Sequence, residues 1–433
     1  MFLKNILKNL RLFFNICIKL DSLMSSDAID NIINEIEGNK IRIVYNEFND
    51  VINIISKFVI KKKLILYGGL VINLALPKKF RFYKDYTIND YDCFSKNPYK
   101  DSLELAMLIK KNKYKYIKIK KAKHDGTLKI YVYGKQIFDI TMMQSEQYDK
   151  LLKFSTKKEN KLKYYTEKYK IIPIEYMKMN LYFELSRPEQ SGWRWDKIFK
   201  RLNLLVKFYP SKTSNIKIKK CLCVKKQYGT VIEKLLNYIK SKKYPLIDGY
   251  PLRLYKKKDC CYRLSESSRY TTILSNDYKK TKTEIMKLLK ETLSNNKYDI
   301  KIEHNRIDVY NLYASYDIKI TEKTTGESFN IIKIILNVNE CFSINVKDGF
   351  TTGSVDTNLY FLYLDYVKNK IYLNNLDEAN ENLYYINQYE NYIKNIIKND
   401  VSKRLKSECY GTINNDEEIK RMWKQKLTIK YLS

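Results

Sequence analysis

Three short stretches decide how this chain is read: KKKLILYGGLVINLAL (61–76), NDYDCFS (89–95) and QIFDITMM (136–143). In the first, a brief apolar run meets Gly68-Gly69 and a helical pattern starts near Leu70, which predicts strand, turn and helix. Only 12 glycines occur in 433 residues, so a Gly-Gly pair at that junction marks a turn that requires them. The other two stretches read as strands. Asp90 and Asp92 stand two apart and so share one strand face, and Asp139 lies inside the later strand. A helix is predicted at 101–112 and strands at 114–122 and 128–134, the last turning at Gly134.

Each element has a chemical use. Asp90 and Asp92 on one strand and Asp139 on another form a candidate catalytic cradle for hard, oxygen-preferring cations, Mg²⁺ or Mn²⁺; an ordinary Asp-x-Asp at a strand end or turn, and an Asp139 that caps or pairs with a lysine, are the alternatives. Two such ions about 3.5–4 Å apart activate a 3′-hydroxyl and neutralise a leaving pyrophosphate. Gly68 and Gly69 let backbone approach phosphate oxygens, where a helix start offers unpaired N–H groups. Lys78, Lys79, Arg81 and Lys84, ahead of the acids, are candidates for triphosphate contact, with a solvated basic loop as the alternative.

Working outward, 81 Lys and Arg against 48 Asp and Glu leave a net charge of +33, a field that favours polyanions. Only 12 of those cations are Arg, in a chain also rich in Asn, Ile and Tyr, so A/T-rich codons are a competing cause. A hydrophobic content of 44% with 39 Tyr excludes a disordered chain. Eight scattered Cys without a CxxC pair, and two His, exclude a structural zinc site and a disulfide framework. Free buried thiols in a reducing compartment such as the cytoplasm are expected. No apolar run reaches 18 residues, so no spanning helix and no membrane partner are expected.

Residues 1–20 are basic and amphipathic, with apolar residues at 3, 6, 7, 10, 13, 14 and 17 on one helical stripe. That reads as a packing helix, with a targeting or surface-binding helix as the alternative. Helical spacing continues over 27–60. Further helices are predicted at 173–186, closed by Pro188, and 193–209, closed by Pro210. Beyond the basic stretch 211–220, helices are expected at 231–240, 281–293 and 382–398, and strands at 298–303, 308–312, 315–320 and 369–373. In KKNKYKYIKIKKAK (110–123), Lys110, Lys111, Lys113, Lys115, Lys118 and Lys120 interleave with Tyr and Ile. That pattern suits RNA tracking, against a strand whose lysines face water. Arg194 and Arg201 are candidates for RNA or triphosphate contact, while Trp193 and Trp195 are expected to pack.

The series strand, Gly-Gly turn, helix, Asp-x-Asp strand and later strand Asp resembles the DNA-polymerase-β-type nucleotidyltransferases, with Gly68, Gly69, Asp90 and Asp92 matching. DYDCFS, KHDGTLKIYV before FDIT, and YFELSRPEQSGWRWDKIFKRLNLL followed by YP resemble the poly(A) polymerase catalytic subunits of poxviruses and other nucleocytoplasmic large DNA viruses. The giant-virus and asfarvirus members are the nearest, and the likeness covers about residues 60–210. Leu70 departs from the Ser that many such enzymes place after the glycines.

The resemblance implies an α+β fold with an N-terminal helical segment (1–58), a catalytic domain (59–150) and its helical support (151–212). A degenerate nucleotidyltransferase-like domain (213–433) for RNA binding and dimer contacts follows. It further implies template-independent transfer of AMP from ATP to single-stranded RNA 3′ ends, with Asp90, Asp92 and Asp139 as metal ligands. A homodimer or a viral processivity subunit, and a cytoplasmic viral factory or the virion as location, belong to the same expectation. A uridylyl- or CCA-adding transferase and a non-catalytic RNA-binding subunit are the alternatives.

Overall fold

The computed structural model describes residues 48–83, 91–122, 126–157, 162–165, 168–211, 226–249, 251–255, 271–293, 297–305, 314–337, 340–396 and 403–413. The expectations for residues 1–47, Lys84, Asp90 and the strand 308–312 lie outside them. The chain divides into two compact units, Met1–Met142 with Glu167–Tyr169, and Met143–Thr166 with Lys170–Ser433.

The first unit opens with a helix over 48–62 (α1), which buries Val51, Ile55, Phe58 and Val59 on one stripe. Strand β1 (Ile65–Tyr67) runs directly into α2 (Gly68–Ala75), buried from Leu70 onward. Pro77 follows and cannot continue a helix. After β2 (Tyr91–Ser95), the Asn97 side chain caps α3 (Pro98–Lys111) by accepting from the Lys100 N–H at 3.2 Å, with Pro98 in the first turn. Strands β3 (Lys118–Lys121), β4 (Thr127–Val132) and β5 (Lys135–Met142) complete the unit. Tyr133 and Gly134 both take positive φ (49° and 80°), the geometry of a tight hairpin whose twist matches its strands. The strands of this unit lie in the order β3-β4-β5-β2-β1; only β2 and β5 are parallel.

The second unit contains α4 (Ser145–Thr156), β6 (Lys170–Ile171), α5 (Ile174–Leu185), α6 (Pro188–Ser191) and α7 (Trp195–Phe208). Helix α8 (Lys226–Lys242), β7 (Leu246–Ile247), α9 (Leu252–Tyr255), β8 (Thr271–Ser275) and α10 (Tyr278–Thr292) follow. Five strands come next: β9 (Tyr298–Asn305), β10 (Ser315–Glu322), β11 (Ser328–Leu336), β12 (Phe342–Lys347) and β13 (Phe350–Gly353). Helix α11 (Val355–Val367), α12 (Leu376–Ile396) and β14 (Cys409–Tyr410) close it. Its sheet runs β14-β12-β13-β7-β8-β11-β10-β9.

Helices α5 and α11 are buried nearly all round, so their polar groups must find partners inside. Lys178 donates to Tyr363 Oη at 3.1 Å and Glu390 Oε1 at 3.2 Å, and Arg404 forks onto Asp356 at 2.7–3.1 Å. Such enclosed pairs are costly to break singly.

Three expectations are corrected here. Residues 369–373 are not a strand: α11 continues into a π-helical turn, Lys368–Leu373, whose Ile371 and Tyr372 are buried. Helix α11 itself is not predicted, because a helix buried on every side carries no periodic signal. Nor are all thiols free. Cys341 and Cys409 form a disulfide, while Cys93 is a buried free thiol. The cause is the β12–β14 pairing, Ser343 with Cys409, which brings together two cysteines 68 residues apart.

The two units share a topology. In each, a short strand is antiparallel to the next, which leads through a helix to a three-strand meander whose last strand returns parallel to it. Thus β7-β8-α10-β9-β10-β11 repeats β1-β2-α3-β3-β4-β5. Local chemistry repeats too. Ser95 Oγ accepts from the Asn97 N–H at 2.9 Å, and Ser275 Oγ accepts from the Asp277 N–H at 3.1 Å, ahead of the paired helices. Gly68 (φ 76°) and Asp248 (φ 78°) hold the same left-handed turn after β1 and β7.

Candidate active site

Backbone register brings the acids together. Tyr67, Asp92, Asp139, Lys129 and Lys120 are consecutive partners across β1, β2, β5, β4 and β3. Asp92 and Asp139 therefore stand on one rung of adjacent parallel strands, about 4.8 Å apart across the sheet, and face the same way. Gly68 makes the room: a Cβ there would overlap the Asp92 carboxylate, and its φ of 76° is one that L side chains rarely adopt. The helix that starts at Gly68, with Gly69 as its second residue, has no side-chain cap and no acid in its first turn. Its N–H groups remain suited to an anion.

Supporting groups fix the acids. Asp139 is 8% exposed; its Oδ1 accepts from Gln136 Nε2 at 2.8 Å and its Oδ2 pairs with Lys129 Nζ at 3.0 Å. Lys129 also donates to Gln136 Oε1 at 3.0 Å. Tyr67 Oη and Thr127 Oγ1 both bond Thr141 Oγ1, at 2.8 and 2.9 Å. Burial, then the nearby Asp92 carboxylate, pushes the Tyr67 phenol well up, and burial followed by Asp92 and Asp139 does the same to the Cys93 thiol. Both groups thus register the carboxylates of Asp92 and Asp139 beside them. That Asp139 already takes an ammonium, with an acid beside it and no Cβ at Gly68, is the arrangement a divalent ion would fit.

The remaining candidates fall out differently. Lys78 and Lys79, in a 3₁₀ turn, are exposed, but Arg81 turns back and donates to the Leu76 and Leu74 carbonyls at 3.3 and 3.4 Å. Its guanidinium is occupied in closing α2. Lys110 and Lys111 end α3, Lys113 and Lys115 follow it, and Lys118 and Lys120 lie on β3; all six are exposed. Tyr116 among them is 74% exposed, and the Lys120 ammonium lies 5.2 Å from the Tyr131 ring.

In the second unit, Arg201 is corrected as an RNA contact. It is buried, because α7 turns it with Ile198, Leu202 and Leu205 to the packed side. Arg194 pairs with Glu184 at 3.4 Å and lies 5.6 Å from the Trp193 ring. Trp195 packs as expected, donating to the Glu184 carbonyl at 3.0 Å, whereas Trp193 is 85% exposed and does not. Lys129, Gln136 and Thr141 were not foreseen; the irregular register between Ile130 and Tyr131 is part of that local geometry, and nothing in the residue pattern announces it.

The second unit's matching rung reads Ile247, Thr272, Lys333, Asp317 and Glu303. Thr272 and Lys333 stand where Asp92 and Asp139 stand, and Lys333 Nζ bonds Asp365 at 3.1 and 3.3 Å. On β8 and β11, the strands that match β2 and β5, this rung offers no acid pair.

Residues 53–191 match the family model of the poly(A) polymerase catalytic subunit. A protein of African swine fever virus named for that subunit is 30% identical over 171 residues, which are 38% of this chain and 34% of that protein. Its counterpart in Acanthamoeba polyphaga mimivirus is 27% identical over 164 residues, 37% of this chain and 26% of that protein. The chain thus spans about a quarter to a third of the length of these curated relatives. In fold, the crystal structure of the Megavirus polyadenylate synthase superposes with a TM-score of 0.75 at 17% identity, covering 93% of this chain and 82% of that one. Residues 53–191, which hold the Gly-Gly turn and the Asp92–Asp139 rung, are thus the part of this chain that is similar to the poly(A) polymerase catalytic subunits of large DNA viruses.

Proposed function

We propose that the protein is a template-independent poly(A) polymerase that adds AMP from ATP to single-stranded RNA 3′ ends. The observation that carries this reading is the Asp92–Asp139 rung facing the Gly68 turn. Asp92 and Asp139, with Asp90 as the third acid, would hold divalent ions, which supply a nucleophilic 3′-oxygen and neutralise the leaving pyrophosphate. Every other task falls to the chain. Gln136 fixes one Asp139 oxygen, leaving the carboxylate aimed along the rung. Gly68 and the uncapped start of α2 admit triphosphate oxygens to backbone N–H groups, with Lys78 and Lys79 as nearby cations. Lys110, Lys111, Lys113, Lys115, Lys118 and Lys120 track the RNA backbone.

With this reading go a homodimer or a processivity subunit and work in the cytoplasm. Among the described residues no helix is long and apolar enough to cross a membrane.

The test is primer extension with each of the four NTPs, using wild type, Asp92→Asn and Asp139→Asn. Extension with ATP alone, lost in both variants while RNA binding persists, is expected. Preference for UTP or CTP would move the enzyme to a sister activity; no extension with any NTP, despite tight RNA binding, would make it a binding subunit.

A further inference from the structure

Lys129 plays no part in the chemistry above, yet it occupies the most consequential position near the acids. Its ammonium pairs with Asp139 Oδ2 at 3.0 Å and is steadied by Gln136 Oε1 at 3.0 Å, with the Lys129 and Asp139 side chains 28% and 12% exposed. The oxygen it takes is on the carboxylate that a divalent ion must share. An ammonium and a divalent ion close to the same carboxylate oxygen compete for it, since their mutual repulsion grows as they approach. We propose that Lys129 is a built-in counter-ion: it holds the Asp139 carboxylate while no divalent ion is bound and gives it up when one arrives.

The second unit supplies an independent observation. On the same rung and the same pair of strands, Asp317 faces Lys333 where Lys129 faces Asp139. The signs are exchanged on both strands, and on the edge strand as well, where Glu303 replaces Lys120. Lys333 is fully committed to carboxylate partners, with Asp365 at 3.1 Å and side chains 7% and 15% exposed. A rung of this topology therefore accepts an ammonium as a permanent occupant. In the first unit the ammonium enters from the neighbouring strand and is more exposed, so it can leave.

Lys129 is on this account a positioning residue. It keeps the Asp139 carboxylate from turning away before substrates assemble, at the cost of competing with the ion. Freed, its ammonium stands on the face that leads through Tyr131 to Lys120, where an RNA phosphate can receive it.

This inference rests on the proposed metal role of Asp92 and Asp139, and the test separates the two. Mn²⁺ binding is measured by electron paramagnetic resonance on the full chain, without RNA or nucleotide. Lys129→Met should bind Mn²⁺ about three- to tenfold more tightly than wild type, as removal of a part-buried competing ion pair implies. Lys129→Arg should stay within about twofold. The rise in melting temperature on adding Mn²⁺ should be larger for Lys129→Met than for wild type, a difference that a merely structural lysine would not produce. Lys129→Gln gives the same comparison if the methionine variant fails to fold. Unchanged or weaker Mn²⁺ binding in these variants, with Asp92→Asn still weakening it, would overturn the counter-ion role alone. Absence of saturable Mn²⁺ binding to wild type would overturn both readings.

Discussion

Gly68 and Asp248 offer a paired experiment, because they hold nearly the same backbone angle at the same point of two matching topologies, φ 76° and 78°. In Gly68→Ala the new Cβ incurs about 1–2 kcal/mol for a left-handed conformation. It must also displace the Asp92 carboxylate, an overpacking worth about 1–3 kcal/mol more. The first unit should therefore lose about 2–5 kcal/mol in urea denaturation, and single-turnover extension should fall at least about 100-fold, since an ångström of misplacement at a reacting centre has that effect. Asp248→Gly should do neither. Glycine relieves about 1 kcal/mol at such an angle, which offsets loss of the long hydrogen bond, 3.5 Å, that the Asp248 carboxylate accepts from the Thr272 hydroxyl. Stability should remain within about 1 kcal/mol and extension unchanged. If Gly68→Ala extends RNA at the wild-type rate, or if Asp248→Gly abolishes extension as well, the assignment of the working site to the first turn is refuted.

Neutralising Lys113, Lys115, Lys118 and Lys120 together to Gln should weaken RNA binding without regard to sequence. The slope of log K against log salt should flatten by about three, at roughly 0.7 per phosphate contact on single strands; an unchanged slope removes the strip from the RNA path. A second expectation concerns Arg187, whose Nη1 donates to Glu340 Oε2 at 2.9 Å. Burial holds the Glu340 carboxyl above its usual range while Arg187 opposes that rise, so Arg187→Met should raise it further. A raised folded value means stability present at low pH is lost as pH rises through it. The variant's melting deficit should then be larger at pH 8 than at pH 5, and an equal deficit would show that Glu340 does not remain charged and stranded.

How much of this was legible beforehand differs by element. The strand, Gly-Gly turn and helix at 65–75 were, because an apolar strand must stop abruptly for two glycines and the spacing changes from two to three and four. So were β2 and β5 with Asp92 and Asp139, since acids inside apolar strands are expensive unless used. Their sharing of a rung was not, because register depends on the intervening helix and hairpin. Lys129 looked like any other lysine in a chain with 81 basic residues; only the pairing of β4 with β5 distinguishes it. Trp193 and Arg201 were misjudged in opposite senses. Position on α7 buries the arginine, while the 3₁₀ turn at Gly192–Arg194 leaves the tryptophan outside. The disulfide was hidden because two cysteines 68 residues apart reveal nothing until β14 pairs with β12.

The exchanged rung of the second unit constrains what substitution can build there. A cation site like that of the first unit would require an acid at Thr272, an acid at Lys333 and an empty space at Asp248. No single replacement helps. Lys333→Asp alone would crowd a new carboxylate against Asp317 and Asp365 with the ammonium gone. Thr272→Asp alone would set its charge beside that of Asp248. Each such step is expected to give a less stable protein, so the interior of this unit resists gaining a cation site one replacement at a time.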